Sequence, residues 1–574
     1  MTIRFSSSGL CTSKGSAAIL LLSLAFLVGC RGIGTGDFEA DLFNPPPPAT
    51  NSAGVFMWKG DNTAKGLYSN EIMLTPTNVN PAQFGMLGSF TADGILMAQP
   101  LYVSRLNMES GGTHDVIIIV TENDSVYALD ADYPGTAPLW QRSFINPDQG
   151  ITPLPDNFGG RTTLGPNAGI TGTPIIDQTT NAMYFVTADS NNGAAEQWFR
   201  AIDIRTGNDF GPGSRKVDVS VPGDGSASTN GRIAFDASIQ NQRMGLVEVN
   251  GKIIVAWGSF SDRGLYHGWV MAFDAATLAL QAVFNSATEY QDDPDKGGGV
   301  GFWAGGAAPA VDSGGNIYFE GANGSFDADQ GGNNYGDTLL KLQLTGSTFQ
   351  VMDTFTPSDA NCIDHDDLEL GSGSIALLPT DFTNGNQFAA TTSKEGRLYL
   401  IDINNLGGYN VAGDTQIPQE FMVGEVSCST TTTPVAADGP TWDRLYGNPS
   451  YWNGNLYAAA ANIPLKQYQF KGGLLSPTPV AESPSSYGYR GGNTVVSSNG
   501  IQNAIVWAYE KQVSGIGLLH AYDANSVSNE IWNTQMNPTR DGLGEGINFS
   551  TPVVVDGRVI TTYNSTVAIF GLLN

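Results

Sequence analysis

Between Asp364 and Glu369 the chain carries four carboxylates, Asp364, Asp366, Asp367 and Glu369. Such a cluster can move a proton, hold a hard cation or simply form a solvated acidic face. Other groups with chemical potential are scattered more widely. Asp262 follows Ser261, Asn323 precedes Gly324, and Lys394 lies in Ser393-Lys394-Glu395-Gly396. They offer an oxygen ligand, an amide and a cation, and each also suits an ordinary turn. Trp303, in Gly301-Phe302-Trp303-Ala304-Gly305-Gly306, offers either a flat apolar face or a core plug. Several other chemistries find no support. His114, His267, His365 and His520 lack zinc spacing and read as surface or loop histidines. Gly297-Gly298-Gly299-Val300-Gly301 leads into no helical pattern, so it does not read as a phosphate loop, and no Gly-x-Ser-x-Gly elbow with a fitting histidine occurs.

The elements that position these groups must be β-strands. From about residue 55, short β-branched and aromatic runs alternate with Gly, Asn and Asp turns, and no long 3.6-residue period competes. Glycine supplies 71 of 574 residues, which disfavours a helix bundle. The hydrophobic fraction of 41% is enough for a large core. A net charge of −28 argues against nucleic acid as a partner.

Two elements repeat. The first is a small residue, then Pro, then an apolar run, at Pro100, Pro174, Pro309, Pro449 and Pro552, with degenerate copies near Met244, Ile375 and Thr494. The second is a strand ending in Asp, at Asp130, Asp203, Asp274, Asp402 and Asp523, where the carboxylate can accept the following backbone N–H groups. Eight units of roughly 65 residues predict an all-β fold, an eight-bladed β-propeller of four-stranded antiparallel blades spanning residues 55–574. The ring is expected to close by pairing an N-terminal strand with the strand near Val567 to Phe570.

The N-terminus reads as an export signal over residues 1–29, with Arg4 and Lys14 ahead of an apolar run from Ala17 to Val28. Leu27-Val28-Gly29-Cys30 resembles a bacterial lipobox. The expectation is therefore a lipoprotein acylated at Cys30, anchored by lipid at the outer membrane or cell surface. Residues 30–54, with Pro45 to Pro48, read as an extended linker. Cys362 and Cys428 remain; an oxidising compartment favours a disulfide over two unpaired thiols.

The repeats resemble those of the pyrroloquinoline quinone (PQQ) propeller superfamily, the eight-bladed quinoprotein alcohol dehydrogenases, over nearly the whole chain after Cys30. Asn70 to Val79 is similar to that family's lead-in to its first blade. The resemblance implies PQQ stacked on Trp303 and Ca²⁺ held by Asp262 and Asn323. It implies Glu369 as the general base with Asp367 two residues before it, and Lys394 against the quinone oxygens. Glutamate replaces the family's aspartate as base. There is no adjacent cysteine pair and no C-x-x-C-H haem motif. The function expected is a PQQ/Ca²⁺-dependent dehydrogenase of small alcohols or sugars. Two alternatives stand beside it. One is a non-catalytic envelope scaffold binding protein partners, similar to the propeller lipoprotein of outer-membrane protein assembly. The other is a surface carbohydrate binder using Trp442, Tyr446, Tyr451 and Trp452 on a rim.

Overall fold

The structure is a computed structural model. It describes residues 54–156, 165–290, 298–380, 385–424, 426, 428 and 443–573. The export signal, Cys30, the proline linker and Trp442 lie outside the described residues.

Eight antiparallel sheets follow one another along the chain as blades 1 to 8. Their first strands are Leu101–Asn107, Ile175–Asp177, Val247–Val249, Ala310–Val311, Ile375–Leu377, Ser450–Trp452, Gly492–Asn499 and Val553–Val555. Each strand follows one of the repeated sequence elements or its degenerate copy. The Asp-terminated repeats are the third strands of blades 1, 2, 3, 5 and 7. There the aspartate does what its position requires: Asp130 accepts the N–H of Asp132 at 2.9 Å, and Asp402 that of Asn404 at 2.9 Å. Blade 8 takes its outermost strand from Phe84–Thr91, which pairs antiparallel with Thr566–Leu572 (Gly85 with Gly571, Phe90 with Val567). Closure therefore falls on the predicted strand and leaves no open sheet edge there.

Apolar side chains fill the spaces between blades. Trp257, Trp269, Phe273, Tyr318 and Leu342 are each at most 1% exposed in one continuous cluster. Residues of this size contribute about 1.5–3 kcal/mol each when fully buried.

Residues 54–71 form a strap that visits the blades in order. Gly54 and Val55 pair with Val103 and Tyr102 of blade 1. The carbonyl of Phe56 then accepts the N–H of Ile176 in blade 2, and Trp58 packs against Gly245 just before blade 3. The carbonyls of Asn62, Thr63, Lys65 and Gly66 accept from Val311, Leu377, Tyr451 and Val496 in blades 4 to 7, at 2.7–3.0 Å. Glu71 Oε2 accepts the N–H of Gly557 in blade 8 at 2.9 Å. The strap thus satisfies inner-strand N–H groups that face the axis. Lys59 on the strap is fully buried, its ammonium bonded to the side chain and carbonyl of Asn448 and to the carbonyl of Pro449.

Candidate functional site

In every blade the turn between strands two and three and the connection to the next blade leave from one face. Asp262 is in that turn of blade 3, between Lys252–Ser259 and Trp269–Asp274. Asn323 follows the second strand of blade 4, Asn316–Glu320, and Lys394 caps the hairpin of blade 5 between Phe388–Thr392 and Arg397–Asp402. Trp303 lies on the connection from blade 3 to 4, and Asp367 and Glu369 on that from blade 4 to 5, after the short helix Ala360–His365. All six sit on the same face over neighbouring blades.

Four of them touch. Lys394 Nζ donates to Asp367 Oδ1 at 2.6 Å and to Glu369 Oε2 at 3.0 Å. The main chain reinforces this, since Lys394 N donates to the Glu369 carbonyl at 3.1 Å. Asn323 Nδ2 reaches Asp367 Oδ1 at 3.3 Å. The two acids are not equivalent. Glu369 is buried and also accepts from the Ser372 hydroxyl. Burial works against its charge, but Lys394 together with hydrogen bonds from Asp367 and Ser372 outweighs it and holds the carboxyl below the usual range. Asp367 is the open one, 40% exposed at its side chain and held in a left-handed conformation (φ 55°). Desolvation and then the neighbouring Glu369 charge push it up to about 8, against the pull of Lys394. Lys394 loses by burial and gains more from the two carboxylates, so its ammonium is held above its ordinary value.

Asn323 Oδ1 is buried and has no hydrogen-bond partner among the described residues. An acceptor left dry in this way costs free energy until something supplies a donor or a cation. Trp303, on the connection from blade 3 to 4, is partly exposed, with its indole packed on two glycines. A Cβ at Gly258 would come within 2.6 Å of Trp303 Cε3, and one at Gly301 within 3.0 Å of Cε2. Tyr266 meets the edge of the same indole, with ring centroids 6.0 Å apart, and donates its hydroxyl to Asp262 Oδ1 at 3.2 Å. Burial raises the Tyr266 hydroxyl, and the charges of Asp262, Glu369 and Asp367 raise it further, so all three acids lie within its field. Tyr266 is the link that spacing alone did not reveal; its only sequence signal was its place in the Asp262 loop.

Several expectations change. The acid cluster is neither a solvated face nor a cation loop. Asp366 and Glu369 are buried, and the four carboxylates diverge. Asp364 accepts the N–H of Gly324 at 3.0 Å, Asp366 faces His365 at 2.8 Å, and the other two share Lys394. Among the described residues no three His, Cys, Asp or Glu side chains gather as a metal group. Asp262 is exposed on a turn where Ser261 and Asp262 are both left-handed. His267 and His520 are core residues rather than surface ones, at 1% and 3% exposed. His267 bonds the carbonyls of Ala287 and Ser226, and His520 lies between Glu510 and Glu530. Tyr446, Tyr451 and Trp452 are each 3% exposed, so they form no sugar-binding rim. Cys362 and Cys428 are bonded, with Cα atoms 5.9 Å apart, which ties the helix before the acids to the connection after blade 5.

No family model matches the sequence, and no curated protein is significantly similar to it. Among solved structures, the quinohemoprotein alcohol dehydrogenase of Comamonas testosteroni superposes with a TM-score of 0.56 at 14% identity, covering 90% of this chain and 80% of that one. Quinohemoprotein alcohol dehydrogenase ADHIIG of Pseudomonas putida HK5 gives 0.57 at 15% identity (91% and 80%). A europium-containing methanol dehydrogenase gives 0.56 at 14% identity (91% and 98%). The chain has the eight-bladed β-propeller fold of these quinoprotein dehydrogenases.

Proposed function

We propose that the chain is a PQQ- and Ca²⁺-dependent dehydrogenase of alcohols or sugars, working at the Asp367–Lys394–Asn323 cluster. The observation that carries this reading is the dry Asn323 Oδ1 on a residue that also bonds an open carboxylate, itself paired with a buried ammonium. Oxygen donors suit a hard cation, and a flat indole with a nearby ammonium suits an anionic aromatic quinone. Asn323 Oδ1 would be one ligand of the cation, which takes six to eight oxygens and so would draw most of its shell from the quinone and water. Trp303 would be the floor. When bound, the quinone supplies the two-electron acceptor.

The protein's own part is proton handling. Asp367, rather than the Glu369 expected from position, is the acceptor of the substrate hydroxyl proton. Its carboxyl is the accessible one, as contact with a substrate hydroxyl requires. Glu369 is the fixed counter-charge that keeps Lys394 in place. Asp262 orients Tyr266 against the indole edge. Export and lipid anchoring through Cys30 belong to the same proposal. Radiolabelled palmitate incorporation lost in Cys30→Ser is the direct check.

The test is a titration of the purified protein with PQQ, with and without Ca²⁺, followed by quinone absorbance and heat. Saturable, Ca²⁺-dependent binding weakened by Asn323→Ala and by Lys394→Ala is the expected result. Absence of binding at high micromolar PQQ would overturn the reading and leave the scaffold role at the envelope in its place.

A further inference from the structure

Four connections between blades bring two arginines and two aromatic rings together over the axis. Arg243 lies on the connection into blade 3, Tyr446 on that into blade 6, Arg490 on that into blade 7 and Phe549 on that into blade 8, each just ahead of its blade's first strand. They form a chain of contacts. The Arg243 guanidinium stands 5.8 Å from the centre of the Phe549 ring, Phe549 and Tyr446 have ring centroids 6.0 Å apart, and the Arg490 guanidinium stands 5.4 Å from the centre of the Tyr446 ring. Blades 3 and 8 are not neighbours in the ring, so the contact of Arg243 with Phe549 reaches across the axis. On its other side Arg243 packs on Gly306, where a Cβ would come within 3.1 Å of the guanidinium carbon. Lys394 feels the charge of Tyr446, which sets this mouth next to the Asp367 cluster.

The two guanidiniums lack partners. Arg243 is 8% exposed, and its side chain donates to no described residue. Burial pulls it down to about 10, and only the charge of Glu122, acting through space, pulls it back up, so it stays a cation at neutral pH. Its five N–H donors are thus largely withdrawn from water without an acceptor. Arg490, half-buried, rests on Tyr446 and Tyr489 and enters no ion pair or hydrogen bond among the described residues. Arg490 and Phe549 also hold left-handed backbone, φ 85° and 68°, which costs a non-glycine residue free energy. The chain carries 55 acidic side chains, yet among the described residues none bonds either guanidinium, so an acid group from outside is the partner that fits. A cationic guest would be repelled, and a neutral one would bring no counter-charge. A bare inorganic anion would leave the partly exposed Phe549 ring uncovered. We infer that this mouth binds a small organic acid, its carboxylate on Arg243 and its apolar body on Phe549, with Arg490 as a second cation at the rim. The inference does not rest on the quinone reading and uses none of the residues assigned there to the cation, the floor or the base.

Calorimetry and saturation-transfer NMR on the full chain, without PQQ or Ca²⁺, test it with benzoate, with benzyl alcohol as the neutral counterpart and inorganic phosphate as the anion lacking an apolar body. Benzoate should bind saturably in the millimolar range or tighter. Benzyl alcohol should be at least about tenfold weaker, the ratio one lost charge-assisted hydrogen bond produces, and phosphate at least about tenfold weaker for want of the ring contact. Arg243→Gln should weaken benzoate by about tenfold or more, and Arg490→Gln by a smaller factor. Neither substitution breaks a hydrogen bond in the unliganded protein, so urea unfolding midpoints should not fall. No saturable benzoate binding, benzyl alcohol or phosphate binding as well as benzoate, affinity indifferent to Arg243→Gln, or a midpoint well below the wild type in that variant, which would mark the guanidinium as structural, would each overturn the inference. Failure of PQQ to bind would leave all of these outcomes unchanged.

Discussion

Lys394→Met takes away the ammonium that Asp367 and Glu369 share and leaves the space filled. Methionine is close to lysine in length, so little of the effect is a cavity. What remains is Glu369, with 8% of its side chain exposed, beside a second carboxyl. Removing one partner of a buried ion pair costs about 3–5 kcal/mol. Asp367 is 40% exposed and largely screened by solvent, so only the Glu369 half counts, and the loss should sit at the lower end, about 3 kcal/mol near pH 8. The pH dependence has a definite sign. In the wild type the folded pKa of Glu369 is depressed, so its stabilisation is present above the unfolded value, near 4.3, and is lost as pH falls through the folded value. Without Lys394 that depression disappears and burial raises the carboxyl instead. The variant's deficit should therefore be large near pH 8 and shrink toward about pH 4, where its buried carboxyls can take up protons at little cost. Urea unfolding midpoints at both pH values measure it. Adding Glu369→Gln should restore at least half of the loss, because a neutral side chain no longer needs the ammonium. A deficit below about 1 kcal/mol near pH 8, or one equal at both pH values, would refute the reasoning.

Three further outcomes are expected. Gly258→Ala places a Cβ 2.6 Å from Trp303 Cε3 and 2.8 Å from Cζ3, so the indole must shift by about 1 Å to reach normal contact. PQQ affinity should fall by about tenfold or more while the far-UV circular dichroism is retained. Asp367→Asn should abolish turnover while leaving PQQ binding measurable; turnover that survives the substitution would speak against that base. The His520 pKa is raised, because Glu510 and Glu530 together outweigh burial, so its stabilisation is complete below the unfolded value, about 6.5, and lost as pH rises through the folded value. Thermal melts should show that decline above about pH 6.5 in the wild type and not in His520→Gln.

The blades were legible because their signals are local. A proline before an apolar run starts an inner strand, as at Pro174 before Ile175–Asp177, and an aspartate at a strand end binds the next N–H groups, as Asp523 does with Asn525 at 2.9 Å. The site was legible only as a set of positions. Counting from Ile375 cannot tell which of Asp367 and Glu369 ends buried, because that depends on Ser372 and Lys394 arriving from two separate turns. Tyr451 and Trp452 do lie in the hairpin their Asn-Gly turn predicts, yet their rings face inward, where sequence showed only aromatics beside a turn. The strap of residues 54–71 left no trace at all. Its contacts use mostly backbone carbonyls, which every residue carries.

That strap changes what kind of object the ring is. In a chain of repeats each unit ordinarily answers only to its two neighbours, so damage stays local and stability grows by increments. Here a single segment, running from Gly54 to Glu71, is bound to blade after blade in the order in which they occur. It works like a drawstring whose stitches are spaced one per panel. Inserting one residue between Phe56 and Gly66 would put every later stitch out of step, so blades far apart in sequence would lose their bonds together. Eight modest sheets thereby share one fate, and the open face above the axis keeps its loops in register because the face beneath them is laced.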